Sequence, residues 1–256
     1  MRPNKTKRAL QAGQSALGIM ISSVSPLAAE AVANTGFDWV MVDLQHGEPD
    51  LSNVLNLLQG ISTTDATPFV RVPINEFVPI NRALDLGAYG IVVPLVNTPE
   101  EAAAAVHAAK YPPMGARSWG PVRGAIYGSG GDYFRESNDE IALVVMIETA
   151  EAVRNVREIL ATEGIDGCYI GPNDLSISYG VAPGGDHGQT MAAPVEEAMA
   201  TVLAACQEAG KAAGIHVYNA TAANRRLKQG FRFVSINNEL GIMRAAVAAE
   251  FGAVER

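Results

Sequence analysis

The chain repeats one unit: a helix-like segment, a glycine, then a short run of β-branched and apolar residues. The unit is seen in "EAVANTGFDWVMVD", "RALDLGAYGIVVPLV", "LATEGIDGCYIG", "CQEAGKAAGIHVY" and "RLKQGFRFVSIN". Gly36, Gly87, Gly164, Gly210 and Gly230 suit the left-handed position just past a helix, where a Cβ would be strained. Ser25-Pro26 predicts an N-cap followed by proline at the first helical position, and Thr98-Pro99-Glu100-Glu101 predicts a capping box. The runs between helices are continuous rather than alternating, as strands covered on both faces should be. They place strands at 16–22, 39–43, 68–71, 90–95, 142–148, 168–170, 214–217 and 231–237. Eight is the count of a closed parallel barrel, so the expected fold is α/β, a single-domain (β/α)8 TIM barrel over residues 1–256. A doubly wound open sheet uses the same units but usually fewer strands.

One segment interrupts the rhythm. About thirty residues, at about 111–140, separate the helix ending near Lys110 from the strand at Ala142, and include "YPPMGARSWGPVRGAIYGSGGDYF". Structureless loops of that size are uncommon and mostly functional, so a lid or subunit contact is expected here. Its glycines are not a P-loop, because no Gly-Lys-Ser/Thr follows.

Composition narrows the partners. With 256 residues, 48% of them hydrophobic, the chain can bury one large core, and its net charge of −8 argues against nucleic acid or an anionic membrane surface. The two cysteines, Cys168 and Cys206, have no CxxC spacing, which points to a reducing cytoplasm and excludes a cysteine-held zinc. Arg2, Lys5, Lys7 and Arg8 precede the apolar "ALGIMI", but Gln11, Gly13, Gln14 and Ser15 interrupt any signal-peptide run. No apolar run approaches the roughly 20 residues that a membrane helix needs.

In a parallel barrel, chemistry sits at the carboxyl ends of the strands. In "VMVDLQHGEPD" an apolar strand runs straight into Asp43, Gln45 and His46 before Gly47 and Pro49 break it. Strand three ends in Arg71, strand five in Glu148, and strand six leads into "GPNDLS" with Asp174. Strand seven carries His216 and strand eight ends in Asn237. Glu148 and Asp174 lie 26 residues apart (174 − 148), one β-α unit, which predicts carboxylates converging from adjacent strands. Two such carboxylates raise one pKa or recruit a cation, and an all-oxygen pair suits Mg2+ or Mn2+. The competing reading is an ordinary salt bridge to Arg71 or Arg117. His46 reads as a base or as a hydrogen-bonded packing residue. Arg71 reads as a carboxylate partner or as a contact for an anionic substrate or oxyanion. Asp85 lies on a predicted helix and, from its surroundings alone, reads as solvated. His107 reads as helix surface and His187 as loop. Lys110, Lys211 and Lys228 fall on or beside predicted helices, so no strand-end lysine favours a Schiff base.

The blocks "FDWVMVDLQHG", "FVRVP", "ALDLGAYGIVVPLV", "YPPMGARSWG", "IETAEAVRNV" and "GPNDLSISYG" together resemble the HpcH/HpaI aldolase and citrate lyase family. They look most like its class II, metal-dependent pyruvate aldolases, over about residues 15–247. The resemblance implies reversible cleavage of 4-hydroxy-2-oxo acids, through a metal-stabilised enolate, into a 2-oxo acid and an aldehyde. It implies a divalent metal ion (Mg2+, Mn2+ or Co2+) on Glu148 and Asp174, and a substrate carboxylate held by backbone N–H groups around Gly171 and Asn173. It places the enolate-stabilising arginine on Arg71, the catalytic histidine on His46 and its dyad aspartate on Asp85. A homo-oligomer, commonly a hexamer, is implied too. Where several relatives have glutamate beside the histidine, this chain has Gln45, which makes hydroxypyruvate as plausible a donor as pyruvate. The alternative within the superfamily is a CoA-ester lyase of the malyl- or citryl-CoA type. It would need a basic surface for the CoA phosphates, for which Arg117, Arg123 and Arg135 are the candidates. A phosphate-handling isomerase is disfavoured, because "NATAAN" and "NNELG" lack a glycine-rich cradle. The non-enzymatic reading is a metal-dependent 2-oxo-acid binding module.

Overall fold

A computed structural model describes residues 1–127, 130–184 and 190–255; His187 lies outside the described residues. Eight strands close a parallel barrel in sequence order. They are β1 (Ala16–Ile21), β2 (Trp39–Asp43), β3 (Thr67–Arg71), β4 (Gly90–Val93), β5 (Ala142–Met146), β6 (Gly167–Ile170), β7 (Ala212–Val217) and β8 (Phe233–Asn238). Twelve helices surround or follow them among the described residues: α1 (Lys5–Gln11), α2 (Pro26–Ala33), α3 (Val54–Ile61), α4 (Phe77–Asp85), α5 (Pro99–Ala109), α6 (Gly130–Glu140), α7 (Ala150–Arg154), α8 (Val156–Ala161), α9 (Pro172–Ser178), α10 (Ala193–Glu208), α11 (Ala220–Gln229) and α12 (Glu239–Gly252). The expected signals act as read. All five inter-element glycines take positive φ, from 64° at Gly210 to 116° at Gly230. Ser25 caps α2 through the Ala28 amide, and Thr98 with Glu101 forms a complete capping box on α5.

Side chains alternate along each strand, and the inward set forms a layered interior. Trp39, Phe69 and Phe233 fill it as an aromatic plug, with Trp39 stacked on Phe233 at 3.9 Å and Phe69 tilted 5.2 Å from Phe233. The plug fits because β1 supplies Gly18, where a Cβ would lie 2.2 Å from the Trp39 ring. Overpacking of this kind displaces a large ring with nowhere to go, so Gly18→Ala is expected to destabilise by about 3 kcal/mol or more. A fall in the urea midpoint at unchanged slope would register it. Outward-facing strand residues such as Ile19, Val40, Val70, Ile91 and Val145 are fully or almost fully buried under the helices.

The stretch expected as a long loop after α5 is largely ordered. It contains a 3-10 turn at Gly124–Tyr127 and all of α6. Arg117 organises it, lying 4.7 Å from the Tyr111 ring centroid and 5.4 Å from that of Tyr133. A buried cation between two rings supplies the core that a glycine-rich composition hides. Lys110, expected on or beside a helix, is buried and donates to the carbonyls of Asn138 and Ile141. Ile141 precedes β5, so this lysine sits at the end of the barrel opposite the strand carboxyl termini. Among the described residues no helix is long and apolar enough to cross a membrane.

Candidate active site

At the end of β2, Asp43 is 1% exposed and gathers four donors. Its Oδ1 accepts from the amides of Gln45 (3.0 Å) and His46 (3.3 Å) and from Arg71 Nε (2.8 Å), while its Oδ2 accepts from an Arg71 Nη at 2.6 Å. Burial pushes the Asp43 carboxyl up, but the Arg71 fork and the two amides outweigh it and hold it below the ordinary carboxylate value. Asp43 therefore sets both the arginine and the turn carrying Gln45 and His46. Among the described residues the other terminal nitrogen of Arg71 has only Met146 Sδ, at 4.0 Å. His46 is exposed, and the buried Gln45 Oε1 has no partner among the described residues.

Glu148 stands two residues past β5 and is 1% exposed. Its Oε1 accepts from the Leu95 amide at 2.8 Å, and Leu95 takes φ 54°, a conformation that a bulky residue adopts only when its surroundings enforce it. Its Oε2 is buried without a hydrogen-bond partner among the described residues. Burial first, with a contribution from the like charge of Asp174, pushes Glu148 up to about 7, against the lowering effect of the Leu95 amide and Arg71. Gly171 closes over this oxygen: a Cβ there would lie 2.6 Å from Glu148 Oε2. Asp174 is half-buried in the first turn of α9. Asn173 donates to the Tyr218 hydroxyl at 2.5 Å and accepts from the Gly184 amide at 3.1 Å.

The salt-bridge reading of these carboxylates fails, because Arg71 is taken by Asp43 and Arg117 by Asp85. Among the described residues neither Glu148 nor Asp174 forms a salt bridge, and no cluster of three or more His, Cys, Asp or Glu side chains is arranged to hold a metal. A buried carboxylate with an orphaned oxygen beside a second carboxylate fits a hard dication that keeps waters or substrate oxygens on its other positions. Asp85 ends α4, and the structure brings it together with Arg117 (3.1 Å) rather than with His46. Burial raises its carboxyl despite Arg117.

Sequence reasoning grouped Asp43 with the strand-end polar residues but missed its organising role. It missed Tyr169 and Ser235 altogether. Both lie inside strands, and only their inward parity with Arg71 and His216 would have singled them out.

A model of the HpcH/HpaI aldolase/citrate lyase family matches residues 17–246. The chain belongs to that family. Among HpcH/HpaI proteins, a 5-keto-4-deoxy-D-glucarate aldolase of Klebsiella pneumoniae subsp. pneumoniae is 37% identical over 245 residues, covering 95% of this chain and 94% of its own. A 4-hydroxy-2-oxo-heptane-1,7-dioate aldolase of Shigella sonnei is 38% identical over 255 residues, covering 98% and 95%. An HpcH/HpaI family protein of Burkholderia cenocepacia, solved by crystallography, superposes with a TM-score of 0.91 at 34% identity, covering 97% of this chain and 98% of that one.

Proposed function

We propose that the chain is a divalent-metal-dependent aldolase. It reversibly cleaves 4-hydroxy-2-oxo acids into a 2-oxo acid, pyruvate or hydroxypyruvate, and an aldehyde. The observation that carries this reading is Glu148, buried and without a partner on one oxygen among the described residues, next to Asp174, with the nearby Arg71 engaged by Asp43. Family membership and the aldolase names of full-length relatives support the reaction class.

In this reading Glu148 and Asp174 hold Mg2+, Mn2+ or Co2+. Once bound, the ion supplies Lewis-acid stabilisation of negative charge on the ketone oxygen of the donor. The remaining steps belong to the chain's own side chains. The nitrogen of Arg71 not spent on Asp43 contacts the same oxygen and stabilises charge developing there. His46 takes the proton α to the ketone and returns it, since an imidazole can act as acid and base in turn. Asp43 holds the turn that carries His46 through the backbone amide, while Asp85, the proposed dyad partner, pairs with Arg117 within the chain. The opening turn of α9, at Gly171 and Asn173, offers amides without intrahelical partners to the donor's carboxylate. Gln45 offers its unpartnered amide oxygen to the bound substrate. We assign the protein to the cytoplasm, without nucleic-acid or membrane partners, and to a homo-oligomer, a hexamer by resemblance. The segment after α5 serves as lid or subunit contact. Exposed Met243, Val247 and Phe251 on α12 support association of copies.

The CoA-ester lyase reading loses its basic surface. Arg117 is buried on Asp85, Arg123 is buried and donates to the carbonyls of Leu86 and Leu58, and Arg135 pairs with Asp132. Chelation tests the proposal. Protein treated with EDTA should lose both aldol cleavage and deuterium exchange into the donor's C3, and each of the three ions should restore some of both. Full activity after chelation would remove the metal from the mechanism, and turnover confined to CoA thioesters would replace the aldolase.

A further inference from the structure

Half of the polar floor of the barrel mouth has no part in the chemistry above. His216, on β7, pairs in register with Ser235 of β8 and faces the barrel interior. Its Nδ1 lies 2.8 Å from Ser235 Oγ, and Ser235 Oγ also bonds the Tyr169 hydroxyl from β6. Tyr169 and Ser235 are fully buried, whereas His216 is only partly buried. One face of the ring meets Tyr218 edge-on at 5.1 Å, and Tyr218 in turn receives the side chain of Asn173, next to Asp174. His216 thus forms a wall continuous with the Gly171–Asp174 turn.

Donor accounting fixes what this wall presents. Among the described residues Ser235 is the hydrogen-bond partner of the Tyr169 hydroxyl, so the phenol proton goes to Ser235 Oγ. The Ser235 proton then goes to His216 Nδ1, which leaves the ring proton on Nε2, with no partner among the described residues. Burial, and then the positive charge of Arg71, lower the His216 pKa to about 4, with Asp43 opposing. The ring is therefore neutral at ordinary pH and within electrostatic reach of Arg71, in the same chamber as the site.

We propose that His216 determines donor specificity: its Nε2–H donates to the hydroxyl oxygen on C3 of a 2-oxo acid, so that hydroxypyruvate-type donors are preferred over pyruvate. The inference rests on the aldolase reading and sharpens it. A methyl group at C3 leaves a half-buried N–H unpaired, whereas a hydroxyl satisfies it, and sites built around such a bond discriminate strongly against the analogue lacking it.

The test compares kcat/KM for hydroxypyruvate and pyruvate, with glycolaldehyde as common acceptor and Mg2+ in excess. Wild type should prefer hydroxypyruvate. His216→Leu should lower kcat/KM for hydroxypyruvate about tenfold to a hundredfold and change that for pyruvate less than about threefold. His216→Gln, whose longer side chain carries an amide N–H to the place of Nε2, should retain most of the preference. Should the leucine variant fail to fold, calorimetry on the wild type decides, and hydroxypyruvate binding no tighter than pyruvate overturns the proposal. An unchanged donor ratio in a folded leucine variant overturns it too, as does a shift confined to the choice of aldehyde. A wild type inert toward both donors with all three metals would instead sink the aldolase reading itself.

Discussion

Glu148→Gln is expected to abolish metal-dependent turnover, with a loss of about a thousandfold or more, and yet to yield a metal-free protein more stable than wild type above pH 7. The first half follows from removing one of two carboxylates around an ion that supplies several kcal/mol of stabilisation. The second follows from the sign of the titration. Glu148 is pushed up to about 7, chiefly by burial. A carboxyl raised above its unfolded value contributes stability below that unfolded value, and loses it as pH climbs through the folded one. At pH 8 the metal-free wild type therefore holds a buried, half-partnered anion. Glutamine removes that charge at similar shape, a gain on the order of a few kcal/mol. Melting curves of chelated protein at about pH 4 and pH 8 read it directly: the two proteins should differ little at the lower pH, where Glu148 is protonated in both folded and unfolded chains, and clearly at the higher. Equal melting at pH 8 would contradict the burial argument. Retained manganese binding by the variant would contradict the ligand assignment.

Arg71→Lys is expected to lower kcat by about a hundredfold to a thousandfold, with a smaller change in KM, because a point-charged ammonium cannot grip Asp43 with two bonds and still reach the ketone oxygen. Truncation to alanine should do worse in a different way. It strands Asp43 as a buried carboxylate without its cation, a change that costs about 3–5 kcal/mol in comparable buried pairs. Asp43→Asn separates the two effects. It keeps the shape of the cluster and the acceptor for the Gln45 and His46 amides, but weakens the fork on Arg71. Its kcat should fall while KM moves little, marking a positioning residue rather than a binding one. Asp43 also has the opposite titration sense from Glu148. Held below the ordinary carboxylate value, it contributes stability above that value and loses it as pH falls through the lowered one. Acid unfolding of the Asp43→Asn variant should accordingly be less steep than that of the wild type. Wild-type kcat in either Arg71→Lys or Asp43→Asn would remove the arginine from the chemistry.

The barrel was readable because each of its units carries local chemistry: a cap, a proline, a glycine at positive φ, and a continuous β-branched run. Those signals need no knowledge of what lies across the molecule. Pairing does need it, and there the reading was weakest. The sequence offers Glu148 and Asp174 as partners for Arg71, but its partner is Asp43, the inward residue in register with it on the neighbouring strand. Asp85 looked solvated, yet a cation from a glycine-rich stretch covers it. Lys110 lies just past α5, as expected, but its burial beside backbone carbonyls, which lowers it to about 7, leaves no mark in the local sequence. Each miss concerns a polar side chain whose partner lies tens of residues away, where periodicity is silent.

The stack of Trp39, Phe69 and Phe233 forms a solid partition beneath the polar groups at the strand carboxyl ends. The same partition separates inheritance of shape from inheritance of taste. Changes at His216, Gln45 or Asn173 can retune what the cup accepts without disturbing the rings beneath, leaving this scaffold free to explore new substrates at little risk to folding.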